Sequence, residues 1–257
     1  RLQVAVPDTG VWSLTDGTLD AGILEKHADG YFFNPAFSAY EDREVRLRYT
    51  IRNGKCVSSD EMTMRVHALP FVDGGRDLQM CYNHEPLPLV GRDSIKGGKW
   101  QENRGTWKLG KADLQYEFDI KRWNVPPGDY TLTYEYTYVY EAYNYQCPNT
   151  DSVTLTVQAL PDKRFAVADT LCVGVEHPFV PADTVGHSFE WHFDFLHEPE
   201  RKEVSVGTSI RHAYDRHGFY TVKCMASKPY PYHESVLVCR DTSEKTVTVL
   251  RDPPAVY

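Results

Sequence analysis

The stretch from Gly128 to Cys147 constrains the fold more than any other part of this chain, because its residues alternate strictly in character. One side carries mostly threonines and glutamates, and the other is largely aromatic: Tyr130, Leu132, Tyr134, Tyr136, Tyr138 and Tyr140. A period of two, rich in aromatic and β-branched residues, predicts a strand with one buried face. A second alternating run at 151–157 follows it. The pattern therefore predicts a long β-hairpin.

The chain repeats itself with a period near 90 residues. An Ala-Leu-Pro triplet closes one copy at 68–70 and the next at 159–161, 91 residues later, and Cys56 recurs as Cys147 at the same offset. A repeat of this length is typical of a β-sandwich of about seven strands. We therefore predict an all-β fold of three consecutive immunoglobulin-like or PKD-like sandwiches in an elongated array. Its parts are repeat 1 (1–70, truncated at its N-terminal end), repeat 2 (71–161), repeat 3 (162–251) and a linker or tail (252–257).

Repeats 1 and 2 resemble the immunoglobulin-like repeats that occur in tandem in surface proteins of Bacteroidota. Both repeats have a G-x-W turn, a late cysteine and the closing Ala-Leu-Pro. Repeat 2 also has the Y-T-x-x-Y strand, at 130–134, where repeat 1 departs from the pattern with Val45 in place of the first tyrosine. Repeat 3 resembles the PKD domain, whose W-x-F, H-x-Y and G-x-Y-x-V segments correspond to 191–193, 212–214 and 218–222. The resemblance implies an exported protein, extracellular or associated with the outer membrane.

The chain has six cysteines and no C-x-x-C pair, which favours disulfides over zinc sites. Reduced, buried thiols are the alternative. We predict one bridge inside repeat 2, Cys81–Cys147, and one inside repeat 3, Cys172–Cys239. Each bridge would close a loop of similar length and stabilise its domain by about 4 kcal/mol in the chain-entropy model. Bridges of this kind imply an oxidising compartment.

Two cysteines remain outside these predicted bridges. Cys224 is expected to be a free, half-buried thiol on the opposite strand face from Tyr220 and Val222. The position equivalent to a partner of Cys56 would lie about ten positions ahead of Arg1, as the 91-residue offset implies. Cys56 is therefore expected either to pair with an upstream segment or to stay free.

Composition and motifs exclude several functional classes. The net charge is −8 and there is no large basic patch, which argues against nucleic acid. No run of 18 apolar residues is present, so the sequence predicts no membrane-spanning segment. The histidines show no recognised ligand spacing, and neither a G-x-S-x-G elbow nor an obvious pair of catalytic carboxylates occurs. We therefore predict no cofactor, no metal and no enzymatic activity.

The aromatic strand of repeat 2 contains the best candidate for a binding surface. Between Tyr134 and its cysteine this repeat has six more residues than repeat 1 has between Tyr49 and Cys56. The added segment should carry three tyrosines past the core into a hairpin tip, where they would suit a sugar or protein ligand. The candidate residues are Tyr140, Tyr143 and Tyr145, together with Trp107. The alternative is packing against a neighbouring domain across the Ala-Leu-Pro junction.

Four Asp-Ser or Asp-Thr pairs precede an aliphatic residue, and the hydroxyl residues are Ser94, Ser152, Thr170 and Thr184. The pattern resembles the O-glycosylation motif of exported Bacteroidota proteins, which implies modification at these positions. The alternative is that they are ordinary turn and strand-start residues.

The function predicted from these features is structural. The chain is expected to be a non-catalytic extracellular segment of a larger bacterial surface protein, a semi-rigid spacer that presents or anchors other modules. Its short Ala-Leu-Pro linkers restrict bending because proline fixes φ. The expected partners are other domains of the same protein, a surface protein or a glycan. The alternative function is a carbohydrate-binding accessory module that uses exposed aromatic residues.

Overall fold

The computed structural model of the chain describes residues 9–15, 23–34, 42–93, 97–102, 110–112, 115–141, 144–198, 200, 202–206 and 209–251. These residues are nearly all in strands and loops, which confirms the predicted all-β class. The single helix of the described part has four residues, and no helix there is long and apolar enough to cross a membrane.

The strands follow the order of the three repeats. Repeat 1 contains β1 (Val11–Leu14), β2 (Leu24–His27), β3 (Gly30–Phe33), β4 (Arg43–Asn53) and β5 (Cys56–Val66). Repeat 2 contains β6 (Val72–Asp73), β7 (Leu78–Cys81), β8 (Leu87–Leu89), β9 (Arg92–Asp93), β10 (Lys99–Glu102), β11 (Gly110–Ala112), β12 (Gln115–Phe118), α1 (Ile120–Trp123), β13 (Gly128–Tyr140) and β14 (Tyr145–Gln158). Repeat 3 contains β15 (Phe165–Ala166), β16 (Thr170–Cys172), β17 (His177–Pro181), β18 (Ser188–His192), β19 (Glu203–Val206), β20 (Ile210–His212), β21 (Gly218–Tyr232) and β22 (Ser235–Leu250).

The larger sheets are built around long antiparallel hairpins. Their strand orders are β1-β4-β5, β10-β13-β14-β7 and β16-β22-β21-β18-β19. Smaller sheets have the orders β11-β12-β8, β15-β17-β20, β2-β3 and β6-β9. In repeats 2 and 3 the last long strand also pairs in parallel with a short early strand, β14 with β7 and β22 with β16. The predicted hairpin of repeat 2 is confirmed as β13 and β14.

The chain forms two compact units rather than one unit for each repeat. Unit N comprises 1–73, 92–98 and 135–151, and unit C comprises 74–91, 99–134 and 152–257. Repeat 3 lies entirely in unit C, together with most of repeat 2. The boundaries predicted at 70/71 and 161/162 stay a prediction.

The core of unit N is formed by alternate residues of β4. Val45 and Leu47 are fully buried, and Tyr49 is nearly so, whereas the intervening arginines face solvent. The alternation follows from the pleat, because successive side chains of a strand point to opposite faces. Val66 of β5 completes the buried cluster.

The inward face of β13 is the one predicted from the alternation. Tyr130, Leu132 and Tyr134 are buried, and Tyr134 packs its ring 5.1 Å from that of Trp100. Beyond Tyr134 the same face becomes only half-buried. The sandwich core of repeat 2 therefore ends at about this point of the strand.

Repeat 3 has an aromatic core centred on Trp191, which is fully buried. Phe165 and Phe179 present their ring edges to the indole, and Phe193 lies parallel to it. The indole nitrogen donates a hydrogen bond to Ser205 Oγ at 3.1 Å, so its polar group is satisfied.

The alternation in the sequence predicts that Trp191, Phe193 and Phe195 all point inward. This is confirmed for Trp191 and Phe193, whereas Phe195 is half-buried and contacts His192 and Lys223 outside the core cluster.

Two tyrosine corners tie strand starts to the preceding turns. The Tyr130 hydroxyl donates to the Pro126 carbonyl at 2.5 Å, and the Tyr220 hydroxyl donates to the Arg216 carbonyl at 2.9 Å. Each tyrosine lies two positions after a glycine with positive φ: Tyr130 follows Gly128, and Tyr220 follows Gly218. This Gly-x-Tyr spacing at a strand start predicts the two corners from the sequence. The corner holds the turn against the first inward side chain of the strand.

Replacing Tyr130 by Phe should remove this hydrogen bond and keep the ring. The free energy of unfolding is expected to fall by about 1 kcal/mol, the usual net contribution of such a bond. Equilibrium denaturation measures it, with Tyr145→Phe as the exposed control. An equal effect of the two substitutions would mean that the corner does not stabilise repeat 2.

Candidate functional site

The β21–β22 hairpin of repeat 3 is longer than the sheet it belongs to. Strand β18 pairs with β21 only as far as Ser227, whereas β21 pairs with β22 up to the Tyr232–Ser235 end. The far half of the hairpin therefore extends past the core of its own repeat. The turn residue His233 has φ 50°, in the left-handed region, which lets the chain reverse within a two-residue turn.

The far half of this hairpin is hydrogen-bonded to residues of repeat 2, within unit C. The Tyr230 hydroxyl donates to the Ala159 carbonyl at 2.8 Å, and the Tyr232 hydroxyl donates to the Asp77 carbonyl at 3.3 Å. His233 Nε2 lies 3.1 Å from the same Asp77 oxygen. Because a carbonyl oxygen only accepts, Nε2 carries the proton in this contact. These three contacts use backbone carbonyls of repeat 2, so they do not depend on its side chains.

A disulfide completes the attachment. Cys81, at the end of β7, is bonded to Cys239 of β22, with 5.5 Å between the two Cα atoms and a sequence separation of 158 residues. Next to it, Asn83 Nδ2 donates to the Arg240 carbonyl at 2.9 Å. The hairpin is thus held to repeat 2 by one covalent bond and four hydrogen bonds.

The predicted bridges Cys81–Cys147 and Cys172–Cys239 are both wrong, and the reason is the strand register. Cys172 lies opposite Leu250, eleven residues beyond Cys239 on β22. Eleven residues of extended strand span roughly 36 Å, whereas a disulfide needs Cα atoms within about 7 Å. Cys81 likewise lies opposite Gln158, eleven residues after the cysteine predicted as its partner. In each repeat the two cysteines belong to opposite ends of the same strand pair.

The four other cysteines are free thiols in different environments. Cys56 and Cys172 are exposed, Cys147 is half-buried and Cys224 is fully buried. The expectation that Cys224 is free is confirmed, but its predicted position is wrong. Residues two apart on a strand share a face, so Cys224 lies beside Val222 in the core. Burial raises the pKa of the Cys224 thiol to about 12.

Alkylation of the native protein should label Cys56 and Cys172 rapidly and leave Cys224 unmodified. The buried thiol lacks both solvent access and thiolate character, since its pKa lies far above neutral pH. Mass mapping after denaturation without reduction should recover the Cys81–Cys239 linked peptides. Rapid native labelling of Cys81, Cys239 or Cys224 would contradict this arrangement.

The sequence patterns did not identify the residues that attach the hairpin to repeat 2. These are Tyr230, Tyr232 and His233 of the hairpin and Asn83 of repeat 2. One signal could have revealed them. The run Lys228-Pro-Tyr-Pro-Tyr232 places alternate tyrosines beyond the sandwich core, as the added segment of repeat 2 does. A strand that extends beyond the core of its own sandwich needs another surface of the protein to pack against.

The predicted aromatic tip of repeat 2 is only partly solvent-exposed. Tyr140 is half-buried within unit N, where its ring stacks on His67 with 4.0 Å between centroids and contacts Tyr138 at 4.5 Å. Burial raises the pKa of the Tyr140 hydroxyl. His67 directly precedes the first Ala-Leu-Pro triplet, so this contact agrees with the packing alternative. By contrast, Tyr145 is 65% exposed.

Asp42 organises the residues around His67. Its carboxylate accepts a hydrogen bond from the Ala68 backbone N–H at 2.8 Å and lies 3.5 Å from His67 Nδ1. The hydrogen bond from Ala68 is the main reason that the pKa of Asp42 is lowered. The imidazole of His67 therefore contacts both the Asp42 carboxylate and the Tyr140 ring.

The remaining predicted site residues are Tyr143, Trp107 and the four hydroxyl residues of the Asp-Ser and Asp-Thr pairs. Tyr143, Trp107 and Ser94 fall outside the described residues. Ser152 and Thr170 are exposed, and Thr184 is half-buried. Glycosylation at these positions and ligand binding at the tyrosines stay predictions.

Repeat 3 also contains a polar cleft of roughly 440 Å³. Its walls combine acidic, basic and aromatic side chains: Phe193, Asp194, Glu198, Glu203, His212, Tyr214, Asp215, Arg216 and Tyr220, with Ala213. The central side chains of the cleft contact one another and the backbone, and these contacts stabilise the fold. His212 stacks on Phe193 at 3.9 Å and lies 3.2 Å from Glu203, and the buried Tyr214 hydroxyl donates to the Phe193 carbonyl. Burial raises the pKa of Tyr214 well above its usual range. Across the described part of the chain, no group of three His, Cys, Asp or Glu side chains is arranged to hold a metal ion.

Comparisons with known proteins identify no family for this chain. No family model matches it, and neither does any curated protein. Several solved structures align over most of its length at low similarity. A structure of mouse protocadherin-24 EC1-3 aligns with 9% identity and a TM-score of 0.26, covering 93% of this chain and 90% of the other.

Two further structures align in the same way. A Bacteroides ovatus mixed-linkage glucan utilization locus protein, SGBP-B, in complex with a mixed-linkage heptasaccharide, has 15% identity and a TM-score of 0.23, and the alignment covers 95% of this chain and 60% of that one. The zebrafish RET cadherin-like domains 1 to 4 have 10% identity and a TM-score of 0.26, with coverage of 98% and 71%.

Proposed function

We propose that this chain is a non-catalytic, exported structural segment of a larger surface protein and acts as a semi-rigid spacer that presents or anchors other modules. One observation carries the proposal: the Cys81–Cys239 disulfide joins residues of repeats 2 and 3 that lie 158 positions apart. With the hydrogen bonds of the hairpin, it restrains rotation about the short linker between these repeats.

The first residues of repeat 3, directly after the linker, are fixed to their own repeat. Ser243 Oγ donates to the Lys163 carbonyl at 2.6 Å, and Lys163 Nζ lies 3.2 Å from the Asp241 carboxylate. Arg164 binds both carboxylate oxygens of Asp162. The hydrogen bonds from Arg164 hold the pKa of the Asp162 carboxyl at about 2, so the Arg164–Asp162 ion pair persists until strongly acidic pH. Each backbone or side-chain torsion that these contacts fix makes the start of repeat 3, next to the linker, stiffer.

A disulfide between distant segments also supports export. Such bonds persist in oxidising compartments and are rare in the cytosol. The bond closes a long loop, and the hairpin packed over Cys81 leaves that residue only 7% exposed. The cross-link is therefore protected from solvent reductants once it has formed.

The test is a distance measurement across unit C. Non-cysteine spin labels at Val90 of repeat 2 and Val185 of repeat 3, both highly exposed, should give one narrow distance distribution. In the Cys81→Ala/Cys239→Ala variant the distribution should broaden, and in Cys56→Ala/Cys172→Ala it should stay narrow. A broad distribution in the native protein would mean a flexible tether and would end the spacer proposal.

Carbohydrate binding is the second candidate, favoured by the exposed ring of Tyr145 at the start of β14, the strand that neighbours β13 with its Tyr138 and Tyr140 pair. An exposed aromatic face beside a hairpin suits stacking on a sugar ring. Tyr145→Ala should abolish binding on a glycan array and change the free energy of unfolding by less than about 0.5 kcal/mol.

Tyr140→Ala separates binding from packing. Because its ring stacks on His67, the substitution should lower stability by about 1 kcal/mol through the lost aromatic contact. Denaturation curves and array binding of the two variants together provide the comparison. Unchanged glycan binding in Tyr145→Ala would rule out this residue as a sugar platform.

A further inference from the structure

Five of the six cysteines form two classes defined by position in the repeat, and the sixth, Cys224, is buried in the core of repeat 3. The strand cysteines, Cys81 and Cys172, end the short strand that pairs in parallel with the last strand of the repeat. The hairpin cysteines, Cys56, Cys147 and Cys239, lie in that last strand itself. The observed disulfide joins the strand cysteine of one repeat to the hairpin cysteine of the next.

We propose that Cys172 is a covalent docking site for a β-hairpin of a further repeat, one that resembles β21–β22 and carries a hairpin cysteine. This inference goes beyond the spacer role and does not depend on it. Its starting point is the disulfide that joins β7 to β22. The equivalent position in repeat 2, Cys81, already holds such a hairpin in this structure.

Two backbone hydrogen bonds around the strand cysteines are the same in the two repeats. Cys81 lies opposite Gln158, and Cys172 lies opposite Leu250. After each cysteine the next N–H donates to that opposite carbonyl, at 2.9 Å from Tyr82 and 3.1 Å from Val173. Two positions further on, the N–H of His84 or Val175 turns back to the cysteine carbonyl, at 2.9 Å and 3.4 Å. The residue between these two donors differs in conformation, because Gly174 has φ 71°, in the left-handed region, and its counterpart Asn83 has no positive φ. The strand pairing at the cysteine is therefore reproduced at the second site, and the turn after it is not.

The hydrogen-bond acceptors of the first site are also reproduced. Tyr230, Tyr232 and His233 bind the carbonyls of Asp77 and Ala159. The repeat offset of 91 to 92 residues places Ala168 and Arg251 at the corresponding positions. Because every residue carries a backbone carbonyl, the change of side chain removes no acceptor.

One side-chain contact is lost, since Gly174 replaces Asn83. Apolar contact replaces it around the second site. Cys172 is exposed, and its neighbours Val175 and Leu250 are 46% and 49% exposed, where repeat 2 has His84 and Gln158. Exposed aliphatic side chains beside an unmodified thiol are suited to burial under a partner that brings tyrosines and apolar strand residues.

The cross-linking step is thiol–disulfide exchange and needs an oxidant of the disulfide class, such as oxidised glutathione or a disulfide oxidoreductase. One thiolate attacks the oxidant disulfide, forms a mixed disulfide and releases one oxidant thiolate. The second thiolate attacks the protein sulfur of the mixed disulfide and releases the other. Two protein thiols thus become one disulfide, and the oxidant takes up two electrons and two protons to become two thiols.

The test uses the 257-residue chain with a synthetic peptide of residues 227–243, which contains Tyr230, Tyr232 and Cys239. In a glutathione redox buffer, the peptide should link to Cys172 about tenfold faster than to Cys56, which is also exposed. This preference is equivalent to about 1.4 kcal/mol of docking contacts. A peptide with both tyrosines replaced by Phe keeps the cysteine and loses the hydroxyls. It should lose most of the preference. Equal labelling of Cys56 and Cys172, or equal rates for the two peptides, would show that exposure alone decides the reaction and would overturn the proposal.

A second measurement does not depend on the peptide adopting a hairpin. The chain alone, oxidised at high concentration, presents hairpin cysteines and the strand cysteine Cys172 to other copies. Intermolecular links mapped by mass spectrometry should join Cys172 to Cys147 or Cys56, and Cys172→Ser should abolish them. Links that join Cys56 to Cys56, or links that persist in Cys172→Ser, would contradict a docking site at Cys172.

Discussion

Removing the Cys81–Cys239 bridge in a Cys81→Ala/Cys239→Ala variant is expected to lower the free energy of unfolding of unit C by several kcal/mol. The loop spans 158 residues, for which the chain-entropy model gives about 5 kcal/mol of destabilisation of the unfolded state. Double alanine substitution avoids leaving a reactive thiol in the structure. Equilibrium denaturation in guanidinium, followed by intrinsic fluorescence, measures the change.

The matched control is Cys56→Ala/Cys172→Ala, which removes two exposed thiols that form no bridge. Its free energy of unfolding should lie within about 0.5 kcal/mol of the native value, as for surface changes elsewhere. A reductant present throughout the denaturation series should reproduce the loss in the native protein, because the bridge becomes accessible on unfolding, and should leave the bridge variant unchanged. A bridge variant as stable as the control would mean that the hydrogen bonds hold the hairpin without the cross-link.

Phe179→Ala should be the second most damaging change, with an expected loss of about 3–5 kcal/mol. The ring is fully buried and lies between the two sheets of repeat 3, 4.9 Å from Phe193 and 6.1 Å from Trp191. Its removal leaves a cavity that these rigid aromatic neighbours fill only by moving.

The same substitution at Phe219 is the control, since that ring is 74% exposed in the same repeat. Phe219→Ala should change stability by less than about 0.5 kcal/mol. Thermal or chemical denaturation of the pair therefore separates burial from residue type. Equal losses at the two positions would show that the aromatic core is not centred on the Trp191 cluster.

The cysteine pattern illustrates why the pairing could not be predicted from spacing. The separations from Cys81 to Cys147 and from Cys172 to Cys239 are nearly equal, which suggests one bridge inside each repeat. The register of the parallel strands decides otherwise, because it places the two cysteines at opposite ends of a long strand. Register depends on contacts between residues far apart in the sequence, and alternation within one strand carries no information about it.

The aromatic strand shows the same division between local and non-local information. Alternation predicted the buried face of Tyr130, Leu132 and Tyr134 correctly, because the pleat alone decides which residues share a face. The surroundings of Tyr140 depend on His67, some 70 residues earlier, and no local pattern indicates that contact.

The sequence by itself determined the all-β class, the repeat of strands and hairpins, the tyrosine corners and the inward direction of Trp191 and Phe193. All of these follow from short-range physical constraints: side-chain periodicity, turn residues and the position of a tyrosine after a glycine. Only the tertiary structure decided that Cys81 meets Cys239 and that Tyr230 and Tyr232 grip repeat 2. Those contacts arise because the β21–β22 hairpin extends beyond the core of its own repeat. Its far half is stabilised by contacts with repeat 2, which is distant in the sequence and adjacent only in the folded chain.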